Sequence, residues 1–140
     1  MAEAPRIGQV VDHHFLWLHE QAAGQIIGRK SRPCLIIAVE HRKGDPPRVT
    51  ILPITSQPPG RTAKAIAIPE AVIARIGLDR ARPTWIVIEE AGMFDWPGFD
   101  LVTQPDGGFV RGVIPRSFFE RVRAAVLRVH SRTVPKETGR

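Results

Sequence analysis

Cysteine is nearly missing from this chain: Cys34 is the only one. A single thiol excludes an internal disulfide and a cysteine-built zinc site, and it fits a reducing compartment. Its place inside an apolar run marks it as a small buried hydrophobe rather than a nucleophile. Aromatic residues are also scarce, at 6% with no tyrosine. No apolar stretch approaches the roughly 20 residues needed to cross a bilayer. The opening Met1-Ala2-Glu3-Ala4-Pro5-Arg6 lacks the apolar core of a secretory leader. These absences predict a cytoplasmic protein with no membrane partner.

What the chain does have is punctuation. Thirteen prolines and 12 glycines fall among 140 residues, which predicts many short elements joined by turns and favours a β-rich fold over a helical bundle. An apolar content of 43% and a charged content of 24% are ordinary for one globular domain of this length. The net charge of +6 favours polyanionic partners, nucleic acid first.

The pattern predicts a first strand over Gly8 to Leu18 and a loop from His19 to Ser31. Two further strands follow, Arg32 to Val39 and Arg48 to Thr55, around a turn from His41 to Pro47. Lys64 to Ile68 reads as a strand, Pro69 as the start of a short helix over Glu70 to Arg75, and Gly77 as its end. Thr84 to Glu90 reads as a buried strand. Phe94 to Gly98 and Pro105 to Gly108 read as turns, and Phe109 to Ile114 as a last strand. Pro115 opens the clearest helix, Arg116 to Val129, whose Phe118, Val122, Val126 and Val129 recur at helical spacing. Residues 131–140 read as a polar flexible tail after a single domain over 1–130. The expected fold is mainly β: a small barrel with a short helix, capped by a C-terminal helix.

An antiparallel hairpin of the two central strands sets the start of one beside the end of the other, so Arg32 and Thr55 become neighbours. A guanidinium beside a hydroxyl suits a phosphate, with a planar fork for the oxygens and a small donor next to it. Other candidate groupings are weaker. His13 and His14 are adjacent on a strand and face opposite ways, while Asp12 and His14 share a face without a third ligand, so no metal site is expected. Glu89 and Glu90 are likewise on opposite faces. Trp17 and Trp85 are candidates for base stacking, with Trp85 the better core residue. Trp96, in a Gly/Pro turn, is the tryptophan expected to be exposed and to contact RNA or a partner peptide.

The order Gly8-Gln9-Val10-Val11, Arg32-Pro33-Cys34-Leu35-Ile36-Ile37, Leu52-Pro53-Ile54-Thr55 and a closing helix resembles the MazF/PemK (Kid) toxins of type II toxin–antitoxin systems, over roughly residues 5–130. The resemblance implies an SH3-like barrel of the MazF/PemK/CcdB type. It also implies a cytoplasmic homodimer that cleaves single-stranded RNA without a cofactor or metal and is held in check by an antitoxin protein, the pair binding DNA. Arg32 would then stabilise the phosphorane and Thr55 would bind the scissile phosphate. His19, in His19-Glu20-Gln21, would serve as base, and Asp95 would match the family's aspartate. Gly92 stands where some relatives carry an arginine, and Arg29, Lys30 or Arg111 are the cations that could replace it, with Trp96 as a further RNA contact. A non-catalytic alternative on the same barrel, a gyrase-poison-like toxin or a module that binds RNA or protein without cutting, stays open.

Overall fold

The central hairpin forms around a turn rich in proline and charge. In the computed structural model, which describes residues 3–15, 31–60, 64–129 and 136–137, β2 (Arg32–Glu40) and β3 (Arg48–Thr55) pair antiparallel, with Leu35 opposite Leu52 and Glu40 opposite Arg48. Arg42 closes the connection by donating from Nε and Nη2 to the Pro46 carbonyl at 3.2 and 2.7 Å. β1 (Gln9–His13) runs antiparallel to β2, placing His13 opposite Arg32. The other edge of β1 carries β7 (Val110–Val113).

β3 serves two partners along its second edge. Its first half pairs with β6 (Gly92–Asp95), Arg48 opposite Asp95. Its last residues, Ile54 and Thr55, pair with β5 (Trp85–Val87), which in turn pairs with β4 (Ala65–Ala67). β8 (Lys136–Glu137) lies parallel to β6. Among the described residues the result is an 8-stranded, mainly antiparallel sheet whose main path is β4-β5-β3-β2-β1-β7. The sheet is open: among the described residues β4 and β7, at the two ends of that path, do not pair with each other. A closed barrel was the expectation. With three residues in β4 and four in β7, neither end offers much edge to zip.

Strand alternation gives the sheet two apolar faces. Val10, Leu35, Leu52 and Ile54 face the helices: α1 (Glu70–Arg75) contributes Val72 and Ile73, and α2 (Arg116–Val129) contributes Phe118, Phe119, Val122 and Ala125. Val11, Cys34, Ile36 and Ile51 face the other way, under Phe15, Phe94 and Trp96. Each such aliphatic or aromatic side chain stabilises the fold by about 1.5–3 kcal/mol on burial. Cys34 is fully buried among them, as its apolar run required. Gly77, at φ +75°, ends α1 in the left-handed conformation that glycine adopts without penalty. Gly112 lets β7 lie against the end of α1, because a Cβ there would meet the Ile76 Cα at 2.8 Å.

Four expectations change. β1 ends at His13 rather than continuing to Leu18, and residues 16–18 lie outside the described region. The strand expected over Thr84 to Glu90 is only three residues long. Phe94 belongs to a strand and not a turn, because β3 has an unpaired edge there for β6 to fill. In the tail read as flexible, Lys136 and Glu137 pair with Gly92 and Met93. Among the described residues no helix is long and apolar enough to cross a membrane.

Candidate phosphate-binding cavity

Two residues beyond Cys34 opposite Pro53, at the end of the β2–β3 register, the same antiparallel count sets Arg32 opposite Thr55. Both side chains line one open cavity of ≈ 390 Å³ at that end of the sheet. β2 supplies Arg32 and Pro33, with Ser31 just before them. β3 supplies Ile54 and Thr55, followed by Ser56 and Gln57. The opposite wall is the segment between α1 and β5, which presents Leu78, Asp79, Arg82 and Thr84.

The Thr55 hydroxyl oxygen accepts the Gln57 backbone N–H at 3.0 Å. That bond fixes the side chain and leaves the hydroxyl proton to be donated into the cavity. The facing segment is held by a set of short bonds. The Asp79 carboxylate accepts from the Ala81 N–H at 2.9 Å, the Arg82 N–H donates to the Asp79 carbonyl at 3.2 Å, and the Thr84 hydroxyl donates to the Arg82 carbonyl at 3.0 Å. Arg82 itself is exposed, and among the described residues its guanidinium has no hydrogen-bond or ion-pair partner. Chemically the cavity offers two cationic forks, one carboxylate and several hydroxyls. That set favours a singly or doubly charged anion carrying several oxygens, with a phosphodiester as the natural fit.

The remaining candidates among the described residues fall elsewhere. Asp95 sits opposite Arg48, seven positions up β3 from Thr55, a strand length of roughly 20 Å. There its carboxylate pairs with Arg42 at 2.8 Å and approaches Arg48 at 4.0 Å. It braces the hairpin and does not join Arg32 and Thr55. Trp96, expected to be exposed, is 5% exposed. Its ring meets Phe109 edge-on at 5.6 Å, and its indole N–H donates to the Glu3 carbonyl at 2.9 Å. The Gly/Pro neighbours that suggested exposure instead shape a bend that tucks the ring inward. Arg111 is committed within the fold: Nε and Nη2 grip both oxygens of Asp12 at 3.1 and 3.0 Å, while Nη1 donates to the Gly77 carbonyl at 3.0 Å. Gln104 completes this set by donating to Asp12 at 2.9 Å. His19, Arg29 and Lys30 lie outside the described residues.

Sequence reasoning missed Asp79 and Arg82. The signal that could have found them is the strand beginning at Thr84: if β5 pairs with the end of β3, the residues just before it must stand beside Thr55. No protein-family model matches this chain, and no curated protein matches it.

Proposed function

We propose that this protein is a growth-inhibiting toxin of the MazF/PemK (Kid) type, an endoribonuclease that cuts single-stranded RNA in the cytoplasm and is neutralised by an antitoxin protein. The observation that carries this reading is the meeting of Arg32 and Thr55 in one open cavity at the strand end. In the reaction, the ribose 2′-hydroxyl loses its proton as its oxygen bonds to the adjacent phosphorus, the bond from phosphorus to the 5′-oxygen breaks, that oxygen takes up a proton, and a 2′,3′-cyclic phosphate remains. Negative charge accumulates on the non-bridging oxygens of the phosphorane. Arg32 supplies the cationic fork for that charge, and Thr55, pinned by the Gln57 N–H, donates its proton to one oxygen. No metal is required for either contact.

The double use of β3, paired to β2 on one edge and to β6 and then β5 on the other, supports an SH3-like type for this open sheet. The family reading brings with it a homodimer and a toxin–antitoxin complex that binds DNA.

A second reading keeps binding and drops cleavage. Its support is Gly92, which stands where some relatives carry an arginine and here is a buried strand residue opposite Ile51. Cleavage chemistry separates the two. Incubated in EDTA with a mixed-sequence single-stranded RNA, the protein is expected to leave cyclic-phosphate ends and to spare the same sequence made as DNA. Intact RNA after prolonged incubation, with binding retained, overturns the ribonuclease reading in favour of the binder.

A further inference from the structure

We infer that Arg82 is the second anion-binding cation of the cavity, contacting the same phosphate group as Arg32. This deepens the reading above and rests on it for the identity of the substrate, although the anion contact itself does not depend on cleavage. Arg32 alone is a weak answer to a phosphorane that carries about two negative charges, and among the described residues the positions expected to assist are committed or lack a side chain. Arg111 is locked on Asp12, and Gly92 has no side chain. The segment between α1 and β5 brings the missing cation from the other wall.

Three features qualify Arg82. It lines the same cavity as Arg32 and Thr55. Among the described residues its guanidinium is not spent on a carboxylate, unlike Arg80, which pairs with Glu70 at 3.3 Å in the same segment. Its backbone is fixed on both sides, by the Asp79 carbonyl before it and the Thr84 hydroxyl after it. The base of the segment is fixed as well: Arg111 holds the Gly77 carbonyl, and the Leu78 N–H donates to Ile73 at 3.0 Å. The held backbone sets where the side chain starts from, so anion binding has to order the side chain but not the segment that carries it. Asp79 lines the cavity too and opposes this charge, so removing its charge should tighten anion binding.

The test is a titration of the full chain with inorganic phosphate, followed by NMR, alongside RNA cleavage rates in EDTA. Arg82→Gln is expected to weaken phosphate binding about tenfold and to lower kcat/KM for RNA about 100-fold. Arg82→Lys should recover part of both. Asp79→Asn, which keeps an acceptor for the Ala81 N–H, should bind phosphate more tightly. Arg80→Gln is the control for loose surface charge and should match wild type. Circular dichroism confirms that each variant is folded, as the exposed position of Arg82 predicts. Phosphate affinity unchanged in Arg82→Gln, or reduced equally in Arg80→Gln, overturns the assignment. An Arg82-dependent phosphate site in a protein that cuts no RNA upholds Arg82 and discards only the ribonuclease reading.

Discussion

His13 shows how a single residue can carry a pH dependence. It is fully buried, its ring stands 4.6 Å from that of Phe94, and among the described residues neither ring nitrogen has a hydrogen-bond partner. Burial first, and the neighbouring His14 second, lower its pKa from 6.5 to about 4. The unfolded chain therefore binds a proton on this ring at a higher pH than the folded one does. Stability is full above the unfolded value, falls as pH drops from 6.5, and levels off near 4, a loss on the order of 3 kcal/mol. Urea unfolding of wild type and His13→Leu across that range should show the slope in the first and its flattening in the second. Equal slopes would place the pH dependence elsewhere. The Asp12–Arg111 pair is the second residue-scale feature, with Asp12 11% exposed at its side chain. Asp12→Asn removes the charge and unbalances three hydrogen bonds, and about 1–3 kcal/mol of stability should go with it, read as a lower urea midpoint.

At the scale of elements, the site is made by two junctions, the β2–β3 hairpin and the approach of the α1–β5 segment. The hairpin was legible because both strands are continuous apolar runs around an unmistakable turn, and their antiparallel count alone brings Arg32 to Thr55. The second junction was not legible, because it depends on β5 adding to the far end of β3, a pairing between residues about thirty positions apart that no local pattern announces. β6 was misread for a related reason: Asp95, Trp96, Pro97 and Gly98 have turn chemistry, and only the vacant edge of β3 makes a strand of the residues just before them. Gly112 tests the second junction. Gly112→Ala puts a methyl 2.8 Å from the Ile76 Cα and 3.1 Å from the Arg75 carbonyl, both backbone atoms that cannot swing away. A loss of about 1–3 kcal/mol is expected, with a shifted α1–β5 segment and weaker phosphate binding. Wild-type stability in that variant would show that α1 is not pressed on β7. Asp95→Asn probes the hairpin's distant end. Its partner Arg42 is partly exposed, so the cost should stay below about 1 kcal/mol. RNA cleavage should stay within about twofold of wild type, since Asp95 is a strand length from the cavity.

For the molecule as a whole, the net charge of +6 favours polyanionic partners, and the open cavity at the sheet end is the place proposed to bind a phosphate. The charge implies a binding constant for RNA that falls steeply with salt, and variants at Arg32 or Arg82 should change the chemical step more than that overall attraction. The β-rich architecture and the closing helix followed from proline and glycine punctuation and from the Phe118 to Val129 stripe. The open sheet did not, because closure depends on how far the short end strands β4 and β7 reach. The most direct measurement is the single-turnover rate of RNA cleavage in EDTA for wild type and Arg32→Ala, with RNA affinity measured beside it. A rate lower by about 10²–10³-fold is expected in the variant, with cyclic-phosphate ends in the wild-type products and an affinity changed far less than the rate. Equal rates in the two proteins would contradict it, and so would a wild-type protein that leaves the RNA whole.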